Sequence, residues 1–204
     1  MSDEKYVSLL QEQKKNKPKI EDVIPDYLDG EMKKAALDFA RHMQENKMPL
    51  RWAGFTNAWK AACKSQCICY VRLRGNSDVP SDGNSGGRLW VVTPYLDHMH
   101  EYEGTVLREG VQNIIGNNVF HCQRCFPEKY PEGRPCVPGR NMTLLGKEVN
   151  GICRFRRPVW VWDPGKAAID GVKKLLELEQ KARTEEHLAK NESNTRRNIC
   201  TTRR

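Results

Sequence analysis

No stretch of this 204-residue chain approaches the roughly 20 consecutive apolar residues that a membrane-spanning helix needs, so a helical membrane protein is excluded. The enzyme signatures are also missing. There is no phosphate-binding loop, no dinucleotide-binding glycine pattern and no nucleophile elbow joining a strand to a helix. The chain has five histidines, and none lies at the i, i+4 spacing of a catalytic zinc motif; His98 and His100 are two apart. The opening Met1-Ser2-Asp3-Glu4-Lys5 has no apolar leader, which predicts a cytosolic protein. In that reducing compartment eight cysteines read as thiols or metal ligands, not as a disulfide framework.

What is present is a charged, polar chain, 38% apolar and 29% charged with a mean hydropathy of −0.73, long enough to bury one core of its own. The net charge of +8 is uneven. By segment it is −1 over residues 1–50, +1 over 51–103, +4 over 104–165 and +4 over 166–204. Positive charge therefore gathers with the cysteines and the C-terminal end, where it can attract nucleic acid or an acidic protein.

Residues 1–25 are polar and Lys-rich and carry Pro18 and Pro25, which predicts a flexible arm. From Leu28 the positions Leu28, Met32, Ala36, Phe39 and Met43 repeat at helical spacing, with Asp26 or Asp29 as cap. Three β-prone segments follow, at 51–55, 58–62 and 67–74. In the last, Cys67, Cys69, Val71 and Leu73 alternate with Ile68, Tyr70 and Arg72. A loop over 75–87 leads to a further strand over 88–93, and Val106, Leu107, Val111, Ile114 and Ile115 predict one helix over 103–117. Asp163-Pro164 predicts the start of a last helix, with Asp163 as cap and core face Ile169, Val172, Leu175, Leu176 and Ala182, giving way to a disordered basic tail over 190–204. The expectation is one α+β domain over 26–189, a small antiparallel sheet packed by about three helices, with a Cys-rich lobe over 121–153.

That lobe contains Cys122, Cys125, Cys136 and Cys153. A C-x2-C pair offers two thiolates from one tight turn, and two further cysteines complete a tetrahedral set with no open position, the form of a structural zinc site. Pro127, Pro131, Gly133, Pro135, Pro138 and Gly139 leave little ordinary secondary structure between the ligands, so bound metal would supply the ordering. One structural zinc ion is expected, and the same four ligands could also take iron. Arg124, Arg134, Arg140, Arg154, Arg156 and Arg157 surround the cysteines and are candidate phosphate contacts.

The C-x2-C, then Cys136-Val137-Pro138-Gly139-Arg140, then Thr143-Leu144-Leu145-Gly146-Lys147-Glu148 and Cys153, together with Trp59, Cys69 to Leu73 and Trp90 upstream, resemble a group of short uncharacterised proteins from anaerobic bacteria. The resemblance spans residues 28–155 and implies no activity.

Other residues offer weaker chemistry. Cys63, Cys67 and Cys69 fit buried core thiols better than a second metal site, and Cys200 fits an exposed thiol. His98, His100 or His121 with metal would be needed for an enzyme. Two functions are thus expected, neither enzymatic. One is a zinc-binding module whose basic lobe contacts a partner such as nucleic acid. The other is a small-molecule-binding domain whose apolar ligand sits near Trp59, Tyr70 and Trp90; Trp160 and Trp162 stay undecided.

Overall fold

The computed structural model describes residues 3–74, 88–119, 140–152 and 158–201. In chain order these form helices α1 (Asp3–Asn16), α2 (Ile20–Tyr27) and α3 (Gly30–Glu45), then strands β1 (Arg51–Trp52), β2 (Ala58–Cys63), β3 (Gln66–Leu73) and β4 (Trp90–Pro94). Helices α4 (Met99–Arg108) and α5 (Gln112–Gly116) follow, then strands β5 (Arg140–Leu144), β6 (Lys147–Ile152) and β7 (Val161–Trp162), and the long helix α6 (Lys166–Thr201). One antiparallel sheet runs β1-β2-β3-β4-β7, and β5-β6 make a separate hairpin, so the fold is α+β. Among the described residues no helix is long and apolar enough to cross a membrane.

The expected N-terminal arm is instead two helices docked on the domain. Ile20 and Ile24 are buried at i, i+4 spacing and continue the apolar stripe into Leu28, a pattern hidden by the surrounding lysines and by Pro25 near the end of α2. Gln13 is buried and grips Asn57: its Nε2 donates to Asn57 Oδ1 at 2.6 Å, and its Oε1 accepts the Asn57 N–H at 2.8 Å. Asn57 sits at φ +52, so this reciprocal pair holds a left-handed turn between β1 and β2. The Trp59 indole donates to the Pro18 carbonyl at 2.9 Å and fastens the α1–α2 link.

Period-two alternation sorts the sheet into two faces. Trp59, Ala61, Val71, Leu73, Trp90, Val92 and Val161 belong to the core that includes Phe39, Ala40 and Met43 of α3 and Ile169, Val172, Leu175 and Leu176 of α6. A bulge interrupts the β2–β3 ladder: Ala61 pairs with Cys69 but Ala62 with Cys67, leaving Ile68 as the extra residue. Ile68 is therefore buried together with Cys69, where simple alternation placed it outward.

The helix expected over 103–117 is broken in two. Gly110 takes φ +70 between α4 and α5, and the turn lets Val106 and Ile115 both reach the core. At Gly171 of α6 an added Cβ would lie 2.6 Å from Ile114 Cγ1, so this glycine is where α5 lies tight against α6. Lys173 pairs with Asp38, and Gln180 Nε2 donates to the Asn46 carbonyl at 2.9 Å, which holds α6 to α3.

Asp163 does not cap α6, which begins three residues later at Lys166. Its Oδ1 accepts the amides of Leu89 at 2.8 Å and Trp90 at 2.9 Å, closing the end of β4. Helix α6 also runs on to Thr201, through the region expected to be a disordered tail.

Between β4 and β7 the chain makes an excursion whose ends meet. Val119 and Val159 form an antiparallel bridge, and Trp160 N–H donates to the Asn118 carbonyl at 2.9 Å. Within the excursion the β5–β6 hairpin turns at Leu145 (φ +54) and Gly146 (φ +71), two left-handed residues as a type I′ turn requires, and buries Leu144.

Candidate functional site

The sheet face turned away from the core carries one cross-strand row of Arg51, Lys60, Tyr70 and Thr93, and a second of Ala58, Arg72, Val91 and Trp162. Neither row contains an acidic residue. Directly opposed residues on neighbouring strands point to the same side, so these two rows are neighbours on one surface. Arg74 continues the alternation of Tyr70 and Arg72, and its N–H donates to the Leu89 carbonyl at 2.7 Å, bringing it beside Arg88.

Trp162 organises the cations. The Arg74 guanidinium lies 4.9 Å and that of Arg88 4.8 Å from its ring centroid, both within cation–π range. Trp160, two residues earlier, has its ring centroid 5.7 Å away. Farther along the face Tyr70 stacks on Tyr95 with centroids 6.0 Å apart and planes 29° apart. Tyr70, Tyr95, Trp160 and Trp162 are half-buried and Arg51 and Lys60 exposed, while Ala58, Val91 and Thr93 of the same rows are buried. Among the described residues neither Arg72 nor Arg88 has an acidic partner, and the buried Arg72 Nε–H has no acceptor.

A second polar constellation lies on the helix side. Glu179, fully buried on α6, takes four hydrogen bonds: at Oε1 from Arg183 Nε (2.7 Å) and His98 Nδ1 (2.9 Å), and at Oε2 from Tyr102 Oη (2.7 Å) and the His98 backbone N–H (3.1 Å). Arg183 donates onward to the carbonyls of Cys67 (2.9 Å) and Tyr95 (3.1 Å) and to Asp97 Oδ2 (3.1 Å). The far side of the His98 ring, Nε2, faces Glu186 at 3.4 Å.

Burial pushes the Glu179 carboxyl up, but the hydrogen bonds from His98, Arg183 and Tyr102 together outweigh it and hold it below its usual range. The same bond to Glu179 raises His98. Burial first, and then the Glu179 charge, push the Tyr102 phenol far up, so it stays a donor. With four donors on two oxygens, Glu179 has no acceptor position left for a substrate proton. The arrangement is a clamp that ties α6 to the β4–α4 connection, and it is chemically spent.

The expected site residues fall differently from their grouping in the sequence. Trp59 and Trp90 are fully buried on the core side, whereas Tyr70 faces the other way, so the three line no common pocket. Alternation explains this, because Trp59 opposes Val71 and not Tyr70. His98 belongs to the clamp, and His100 is exposed with Glu101 at 3.8 Å. Cys63 and Cys69 are buried and Cys67 half-buried; burial raises the Cys69 thiol well above its ordinary value, which keeps it protonated and inert. Among the described residues no cluster of three histidine, cysteine or acidic side chains could hold a metal. Cys122, Cys125, Cys136, Cys153, His121, Arg124, Arg134, Arg154, Arg156 and Arg157 lie outside the described residues, and Arg140 opens β5.

The basic aromatic face was missed at the level of sequence. Its signal was there as Tyr70, Arg72 and Arg74 at period two, a second period-two pair in Trp160 and Trp162, and an arginine at each end of the 75–87 loop. No family model matches this chain, and no curated protein or solved structure matches it either.

Proposed function

We propose that this protein is a non-enzymatic, cytosolic nucleic-acid-binding module that uses the outer face of its sheet. The observation that carries this reading is the gathering of Arg51, Lys60, Arg72, Arg74 and Arg88 with four half-buried aromatic rings on a face whose two central rows hold no carboxylate. Cations supply the salt-dependent attraction to phosphate, and aromatic rings supply stacking surfaces for bases. A core already filled by Trp59 and Trp90 gives the small-ligand alternative no comparable support.

The test is binding of the full chain to fluorescent oligonucleotides across a salt series. Affinity is expected to fall linearly in log–log form with a slope of several units, because each phosphate contact contributes roughly 0.7 to 0.9. Binding that ignores salt, or no binding at all, overturns the reading.

The proposal includes one structural zinc ion held by Cys122, Cys125, Cys136 and Cys153. Two described contacts support it. The Val119–Val159 bridge closes the excursion three residues before Cys122, and Arg140 pairs with Ile152 at the open end of the hairpin, four residues after Cys136 and one before Cys153. At about 3.5 Å of reach per residue these anchors give each cysteine only a short tether. Elemental analysis of protein purified without added metal should find one equivalent of zinc, and chelation should lower the melting temperature. Metal-free protein with unchanged melting would remove zinc from the proposal and leave the sheet face untouched.

A further inference from the structure

We infer that His98 is a pH-sensitive latch at the root of the projecting end of α6. As an imidazolium it ties Glu179 and Glu186 together, and on losing a proton it lets Glu186 go. The inference goes beyond the nucleic-acid reading and stands independently of it.

The ring stands between two carboxylates. Its Nδ1 lies 2.9 Å from Glu179 Oε1 and its Nε2 lies 3.4 Å from Glu186 Oε2, and the two glutamates share one face of α6. A carboxylate only accepts, so a neutral imidazole can satisfy one of these neighbours and must turn a lone pair toward the other. The doubly protonated ring serves both. Glu179 is fully buried and already holds His98 through Nδ1 and the backbone N–H, so the proton that leaves is the one on Nε2, facing Glu186. The charges around the ring favour the cation. Glu179 and Glu186 approach from α6 and Glu101 from α4. Against them stand the N-terminus of α4, where His98 is the cap, and Arg183, which shares Glu179 Oε1 with the ring. Lys190 takes the other Glu186 oxygen at 2.6 Å, Tyr102 donates to Glu179 as a neutral phenol, and Asp97 pairs with Arg183. The hydrogen bond to Glu179 is the largest of these influences and holds His98 above its ordinary value.

Position gives the latch its leverage. Ala182 and Arg183 are buried, Thr184 and Glu186 are half-buried, and His187 to Lys190 are all exposed. Among the residues whose exposure is described, Glu186 is thus the last on α6 to be partly covered, yet the helix runs on to Thr201. At 1.5 Å per residue the stretch beyond it is about 22 Å long. A free helix of that length is marginal in water and grows only from a turn already fixed. Its sequence is a poor helix former, with Asn191, Ser193, Asn194, Thr195 and Asn198. The clamp fixes α6 as far as Arg183, and the latch carries that support one turn further. Opening the latch lets fraying begin a turn earlier, in a region where opening costs little and a small change moves the population. What it steadies is a basic arm, because the sequence after Glu186 holds Lys190, Arg196, Arg197, Arg203 and Arg204 against a single acid, Glu192.

The experiment follows hydrogen exchange of the full chain by mass spectrometry, at about pH 6 and about pH 8, with intrinsic rates divided out. Protection over 187–201 is expected to fall roughly threefold or more at the higher pH, while protection over 166–178 stays the same. Nitrogen-edited NMR of the histidine rings should find His98 still mostly protonated on both nitrogens at pH 6.5, where an ordinary histidine is half neutral. Glu186→Gln should abolish the pH dependence over 187–201 and keep the parent melting temperature within a few degrees. Glu185→Gln, the same charge loss at an exposed neighbour, should leave that dependence intact, and so should His187→Gln, which removes the other histidine on α6. Protection over 187–201 that ignores pH overturns the inference, as does a His98 ring mostly neutral at pH 6.5. A pH dependence that survives Glu186→Gln, or that disappears with His187→Gln, overturns it too, because another group would then be the sensor.

Discussion

The two charged regions of this molecule treat the same kinds of side chain in opposite ways. In the clamp, Glu179 and Arg183 are almost wholly buried, and each of their side-chain oxygen and nitrogen atoms meets a partner between 2.7 and 3.1 Å away. On the sheet face, Arg72 and Arg88 have no acidic partner among the described residues, and a guanidinium nitrogen is left without an acceptor. A charge in a dry interior must be paired or it unfolds the protein. An exposed one, such as Arg51 or Lys60 on the sheet face, is solvated by water and needs no such partner. Exhaustive pairing marks architecture here, and under the proposed function the cations on the sheet face are the part that meets a partner.

Breaking the clamp should have the largest effect. Glu179→Ala leaves Arg183 and His98 facing one another without their shared carboxylate and should cost about 3–5 kcal/mol in denaturant unfolding. A loss below about 1 kcal/mol would mean that water replaces the carboxylate and that the interior is not dry. Tyr102→Phe removes one donor to the charged oxygen and should cost about 1.5–3 kcal/mol. If it cost as much as Glu179→Ala, the cluster would act as one unit and not as separable bonds.

The pH dependence sharpens the contrast further. His98 titrates above its ordinary 6.5 in the folded protein because of its hydrogen bond to Glu179. Its contribution is therefore complete below 6.5 and is lost as pH rises through the folded value. Glu179 titrates below its ordinary 4.5, so its contribution is present above 4.5 and is lost as pH falls through its folded value. Clamp stability should thus peak between these limits. His98→Gln should abolish the alkaline decline, worth about 1 kcal/mol, in unfolding curves taken at several pH values. The smallest stability effect belongs to the other region: Arg51→Gln with Lys60→Gln, both exposed, should shift unfolding by no more than about 0.5 kcal/mol. A large loss there would mean the face is structural after all.

Much of the scaffold could be read from periodicity. The α3 stripe of Ala36, Phe39 and Met43, the alternation of Val71 and Leu73 against Tyr70 and Arg72, and the α6 face from Ile169 to Leu176 all lie where spacing placed them. The errors share a cause, since each depended on a contact distant in sequence. Helices α1 and α2 are ordered by Asn57 and the Trp59 indole, roughly forty residues away. Glu179 and His98 are 81 positions apart, and neither residue's neighbours announce the other. Asp163 looked like a cap because its local pattern is that of a cap, yet its oxygen is committed to Leu89 and Trp90. For the candidate site the rings and cations were visible, but their sharing of one face depends on strand order, which places β7 beside β4 and not beside its neighbours in the chain.

The Val119–Val159 bridge has an evolutionary reading. Bridge partners sit about 5 Å apart, so a tight turn of a few residues could join them and leave β4, β7 and α6 where they are. Such a seam would let the excursion be exchanged while the sheet stays in place, with Leu144, Leu145 and Val149 of its hairpin among the core contacts that a shortened descendant would have to replace. Chains sharing this sheet and the α6 clamp, with an unrelated insert or none at that seam, would be its natural kin.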